Sequence, residues 1–151
     1  MIRIPVTVIT AAMLLSFAAC VFFDYKPRQI KDPLKAADEI LKAVKREEPM
    51  SFAHMFNKYN RKRFGRIDGA QRFRIGLMLG EIKKRLCDNP KPGEVRLKEQ
   101  NGEKYYIVHV CENNTYVSML ILTRENGYYY FNGFSRMYRK QYNELKVFQK
   151  G

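Results

Sequence analysis

The sequence predicts an α+β fold in which N-terminal helices pack on a curved four-stranded antiparallel meander. Three observations carry that prediction. Between residues 34 and 86, apolar side chains recur at helical spacing. The segment Asn89-Pro90-Lys91-Pro92-Gly93 then stops helical structure. Beyond it, Asn101-Gly102 and Asn126-Gly127 separate runs rich in β-branched and aromatic residues, which is the pattern of hairpins.

The chain opens with Arg3 and an apolar run from Ile4 to Ala19 that ends Leu15-Ser16-Phe17-Ala18-Ala19-Cys20. A basic start, an apolar stretch and small residues before a cut site read as an export signal. A Cys directly after Phe-Ala-Ala resembles a bacterial lipobox, although Phe17 stands where that pattern prefers Leu. The resemblance implies that residues 1–19 are removed and that Cys20 carries a lipid. A second reading stays open. Val21, Phe22 and Phe23 extend the run to about 20 residues, enough to cross a bilayer as an uncleaved anchor. A buried N-terminal helix fits worst, because the run has no polar face. Residues 20–31, with Pro27 among charged side chains, read as a tether, and residues 32–151 as one domain.

Asp32 is placed to cap a helix that has Pro33 at its first position. Leu34, Ala37, Ile40, Leu41 and Val44 oppose Lys35, Asp38, Glu39, Lys42 and Lys45, so this helix is expected over Pro33 to Glu47. Pro49 ends it. Ser51 is a candidate cap for a shorter helix striped by Phe52, Met55, Phe56 and Tyr59. Lys58, Arg61, Lys62, Arg63 and Arg66 read as a basic loop ending near Gly65. Asp68 is placed to cap a third helix running to about Leu86, its buried face expected at Phe73, Leu77, Met78, Ile82 and Leu86.

Strands are expected over Glu94 to Gln100, Glu103 to Cys111, Thr115 to Thr123 and Tyr128 to Phe134. On the second, Tyr106, Val108 and Val110 share one face, and Tyr105, Ile107, His109 and Cys111 the other. One face is expected to hold the helices. The other would line a pocket or meet a partner, a second copy included. The tail from Ser135 to Gln149 spaces Tyr138, Tyr142, Leu145 and Phe148 as a helix does.

The chain has 28 basic and 15 acidic side chains, a net charge of +13. Such an excess attracts anionic surfaces. Lys58, Arg61, Lys62, Arg63, Arg66, Arg72 and Arg74 form one cluster, interleaved with Tyr59, Phe64 and Phe73. Arg136, Arg139, Lys140, Lys146 and Lys150 form another. Near anionic lipid each such cation contributes on the order of 1 kcal/mol, and a basic patch supplies the second signal that makes a single lipid anchor stable. The plain alternative is a solvated face that keeps the chain in solution. Interleaved aromatics also suit single-stranded nucleic acid, but export disfavours that partner.

Cys87 and Cys111 are a candidate disulfide in an oxidising compartment. Two buried thiols fit equally well, since two cysteines give no spacing signature. His54 and His109 are the only histidines, and their spacing to the cysteines is not that of a zinc site. No metal or cofactor motif, phosphate loop or Ser-His-Asp spacing is present. Asn113-Asn114-Thr115 matches a glycosylation acceptor but is better read as a turn.

The whole pattern resembles small bacterial lipoproteins of the nuclear transport factor 2-like, or cystatin-like, superfamily. The segment Leu120-Ile121-Leu122-Thr123-Arg124-Glu125-Asn126-Gly127-Tyr128-Tyr129-Tyr130 is similar to their closing hairpin. The usual Trp of the last strand is absent, with Tyr129 in its place, and the basic tail has no counterpart. The resemblance spans about residues 32–134. It implies a sheet curled into a cone that holds a ligand, houses an enzyme or only dimerises. It also directs attention to His109, Tyr106, Tyr116 and Glu81 as pocket candidates. Fold does not choose among these functions. The expectation is therefore a non-enzymatic, lipid-anchored envelope protein that faces the periplasm or exterior. Its basic surface would bind or scaffold at anionic membrane, without a cofactor. The alternatives are a single-pass scaffold component of a secretion or conjugation machine, as in type IV systems, and a small enzyme with its pocket near His109.

Overall fold

The computed structural model describes residues 26–149. The export signal, Cys20 and Lys150 lie outside the described residues. Helix α1 (Pro33–Arg46) begins where expected: the Asp32 carboxylate accepts the backbone N–H groups of Leu34 at 2.9 Å and Lys35 at 3.0 Å. It ends at Glu47, which takes a left-handed φ of 53°. Ala36, Ala37, Ile40, Leu41 and Val44 are buried. Pro49 does more than stop α1, since it is the first residue of α2 (Pro49–Ala53). Ser51 therefore lies inside α2, where its hydroxyl donates to Glu48, and does not act as a cap.

The segment expected as a basic loop is a helix, α3 (Lys58–Phe64). Asn57 caps it by accepting the Asn60 N–H at 2.9 Å, and Gly65 closes it with a φ of 59°. Helix α4 (Gly69–Lys84) starts from Asp68, as read. Its buried face matches the expected one in part: Ile82 is buried and Met78 and Leu86 pack against the core as read, but Phe73 and Leu77 do not. Ile75, Leu79 and Ile82 enter the core, while Phe73 is 68% and Leu77 57% exposed. The helix carries apolar residues on opposite sides, and spacing alone cannot say which side meets α1 and α2.

The sheet is open, antiparallel and five-stranded, ordered β4-β3-β2-β1-β5, rather than four-stranded. Its strands are β1 (Val95–Gln100), β2 (Glu103–Glu112), β3 (Tyr116–Glu125), β4 (Tyr128–Tyr138) and β5 (Lys146–Val147). Asn101-Gly102 and Asn126-Gly127 make the two tight hairpins, all four residues at positive φ, as such turns require. The Asn113 carboxamide accepts from the N–H groups of Thr115 and Tyr116 and forms the intervening turn. Two bulges, at Val110 in β2 and Asn132 in β4, shift the register.

The tail is the other correction. Strand β4 continues to Tyr138, a short helix α5 (Arg139–Asn143) follows, and β5 returns to pair with β1. The last residue of β4, helix α5 and the residue after β5 place Tyr138, Tyr142 and Phe148 at intervals that mimic one helix. Arg96 fixes this reversal. One of its guanidinium nitrogens donates to the carbonyls of Asn143 and Leu145 at 2.9 Å, and the guanidinium lies over the Tyr142 ring.

Helices α1, α2 and α4 cover the face carrying Tyr106, Val108 and Val110, which closes the main core around Phe52, Phe56 and Phe131. The opposite face holds a smaller cluster of Ile107, Val117, Met119 and Tyr142, roofed by α5. The segment Met55 to Asn57 runs along the outer edge of β4. Phe131 N–H donates to Met55 at 2.6 Å and Asn57 N–H to Phe131 at 3.0 Å, which satisfies part of that edge. Cys87 and Cys111 form a disulfide that joins the end of α4 to β2.

Candidate functional site

A buried amide network sets where the basic residues of α3 point. Asn57 Nδ2 donates to Asn132 Oδ1 at 2.6 Å and to Thr123 Oγ1 at 3.2 Å. Asn60 Nδ2 donates to the carbonyls of Phe131 and Asn132, both at 3.1 Å. The Asn132 bulge supplies the geometry that lets β4 receive these bonds. Helix α3 is thereby fixed to the sheet by its buried side, and Lys58, Tyr59, Lys62 and Arg63 stand outward.

The structure divides the expected cluster by role. Arg61 turns inward: it pairs with Glu125 at 2.8 Å, donates to the Phe56 carbonyl and lies 5.0 Å from the Tyr130 ring. Its charge is committed to holding α3 on the β3–β4 hairpin. Lys58, Lys62, Arg63, Arg72 and Arg74 are exposed, and among the described residues none has a carboxylate at ion-pair distance. Arg66 is exposed in the connection between α3 and α4. These cations therefore run continuously from α3 into α4.

The two arginines of the C-terminal cluster are structural. Arg136 donates to the Arg85 carbonyl at the end of α4 (2.6 Å) and to Ser118 Oγ (3.2 Å). There it acts as a cation at a helix C-terminus. Arg139 pairs with Glu112 at 3.2 Å and donates to the Asn113 carbonyl at 2.6 Å. Lys140 and Lys146 are exposed.

An open groove of about 990 Å³ lies between α3 and the β2–β3 end of the sheet. Lys58, Lys62, Lys104 and Arg124 line it together with Tyr59, Tyr105 and Tyr106. Its two carboxylates are occupied: Glu125 by Arg61, Glu103 by the Tyr105 hydroxyl. The Glu103 bond pushes the Tyr105 phenol above its ordinary range. The groove thus extends the basic surface of α3 and offers flat rings beside Lys58 and Lys62.

The pocket candidates do not converge. Tyr106 is buried edge-on against Tyr129, 4.8 Å between ring centres. His109 sits at the other end of β2, 3.5 Å from Glu112, with Gly93 closed against its ring. Tyr116 pairs with Tyr138, and Glu81 is on the surface of α4, its carboxyl held below the usual range by Lys84. No group of three or more His, Cys, Asp or Glu side chains suited to a metal occurs among the described residues. No helix among them is long and apolar enough to cross a membrane.

Sequence reasoning missed Asn57, Asn60, Asn132 and Arg96. An Asn directly before Lys58 is a cap signal that would have found α3. The long-range partners of the others had no local signature. No protein-family model matches this chain, and no curated protein does.

Proposed function

We propose that this protein is a lipid-anchored binding module of the bacterial cell envelope. Cys20 carries the anchor, and the cations of α3 and α4 hold the domain against anionic membrane. One observation carries the reading: Lys62, Arg63, Arg72 and Arg74 are exposed on one continuous stretch of chain, without acidic partners among the described residues. A solvated face that served only solubility would be expected to mix both signs. The helices over one sheet face and the two Asn-Gly hairpins support the nuclear transport factor 2-like cone as its fold family. The disulfide supports an oxidising compartment.

Two measurements test this. An alkyne fatty acid fed to producing cells should label the wild-type chain and not Cys20→Ser. A non-acylated chain beginning at residue 20 should float with phosphatidylglycerol vesicles at low salt, and lose that preference when Lys62, Arg63, Arg72 and Arg74 become Ser. Equal flotation of the two chains refutes the basic-surface claim. The continuation of the apolar run through Phe23 favours a second reading, a permanent anchor in an inner-membrane scaffold. Recovery of unprocessed, unlabelled chain in the membrane fraction would select it.

A further inference from the structure

Helix α4 has an outer face that its fold does not use. Phe73 and Leu77 are one turn apart and are 68% and 57% exposed, on the side opposite Ile75, Leu79 and Ile82. At about 100° per residue, Lys84 and Gly80 fall on the same outer side as Phe73, and Arg72 and Arg74 flank it on either hand. A Cβ at Gly69 or Gly80 would meet nothing within 4 Å, so the outer side is low around the two apolar side chains. Acid is scarce here: Glu81 is paired with Lys84, and Asp68 caps the helix.

We infer that α4 is a monotopic membrane helix in a folded setting: Phe73 and Leu77 enter the interface of an anionic bilayer, and Arg72 and Arg74 reach phosphate groups beside them. Apolar residues at the centre of a helix face with arginines at its flanks are the arrangement that lies in a headgroup layer. Charge chooses the occupant. A second copy seated on this face would set the arginines of each copy against those of the other, which costs energy. Anionic lipid reverses that sign. Position agrees as well. A Cβ at Gly76 of α4 would lie 3.8 Å from Pro49 of α2, so the two helices are neighbours there, and the incoming tether is pinned at the far end of α2, where Arg28 N–H donates to the His54 carbonyl at 2.8 Å. The inference rests on the proposed membrane reading and names the surface that contacts the lipid.

The chain contains no Trp, so Phe73→Trp gives a single reporter. The full chain carrying it is reconstituted, through its own N-terminal segment, into vesicles of phosphatidylcholine alone or mixed with phosphatidylglycerol. With phosphatidylglycerol present, emission should shift to shorter wavelength and be quenched by brominated acyl chains. Adding Arg72→Ser and Arg74→Ser should reverse both effects. Leu77→Ser should lower the inserted fraction about tenfold, as expected for removal of one apolar anchor. Energy transfer from the introduced indole to a dansyl headgroup separates the two claims. Salt-sensitive transfer with water-exposed emission overturns insertion and leaves the membrane reading standing. Absence of any preference for the anionic vesicles overturns both. A blue shift that follows protein concentration without bromolipid quenching identifies a second copy as the occupant and overturns the inference.

Discussion

Asn57 does three jobs with one side chain. It caps α3, reaches Thr123 and meets the bulge residue Asn132, all while 3% exposed. Truncation removes a cap and strands buried donors and acceptors, each worth about 1–2 kcal/mol. Asn57→Ala should therefore lower stability by about 2–3 kcal/mol, read as a shift of the urea midpoint. The cations divide by the same logic. Arg61 and Glu125 are both about three-quarters covered, their side chains 23% and 25% exposed. Removing one leaves the other poorly solvated. Arg61→Ser should cost stability, whereas Arg63→Ser, at an exposed position without an acidic partner among the described residues, should change the unfolding free energy by less than about 0.5 kcal/mol and act only on vesicle binding. Two neighbouring arginines that look alike in the sequence thus separate by experiment into a brace and a contact.

Helix α4 shows what an element costs and what spacing hides. Gly80 lies within it, yet a Cβ there would meet nothing within 4 Å. Glycine in a helix interior is worth about 0.5–1 kcal/mol less than alanine, and no packing reason offsets that here. Gly80→Ala should raise the thermal midpoint; a fall would mean that the outer face is packed. Local signals were legible in the sequence. Asp32 and Asp68 marked helix starts, and each Asn-Gly pair marked a hairpin, because a cap or a tight turn is decided by residues within a few positions of one another. Choices that depend on a distant partner were not legible. The face α4 buries is set by α1 and α2, and Phe73 and Leu77 are as apolar as Ile75 and Leu79. The tail is ordered by Arg96, far away in sequence, so its aromatic spacing suggested one helix where the chain bends twice. The candidate surface was half legible. The cations could be counted, but only the fold separates Arg61, Arg136 and Arg139, which hold elements together, from Lys62, Arg63, Arg72 and Arg74.

At the scale of the molecule, two devices bind the helical layer and the sheet, and each has its own chemical off-switch. One is tyrosine packing on both faces of the sheet: Tyr129 lies under the helices, Tyr130 against Arg61 of α3 and Tyr142 in the cluster under α5. Burial raises the phenols of Tyr129, Tyr130 and Tyr142 above their ordinary value of 10.0. Below that pH the phenols are neutral, folded or not, and stability is intact. Above it the unfolded chain ionises first, so stability should fall as pH rises from about 10 through the folded values. A tyrosinate absorbance titration should show a late fraction that merges with unfolding. The other device is the disulfide. Cys87 follows α4 and Cys111 lies in β2, 24 residues apart. Closing a loop of that length removes unfolded-state entropy worth about 3 kcal/mol. The apolar core around Phe52, Phe56 and Phe131 does not include either sulfur, so the reduced chain should still fold, with less in reserve. Cys87→Ser with Cys111→Ser should lower the unfolding free energy by about 2–4 kcal/mol, and a thiol reductant should reproduce that loss in the wild type and leave the double variant unchanged. Equal stability with and without reductant would mean that the bond lends the fold nothing, and the cysteine pair would then no longer point to an oxidising compartment.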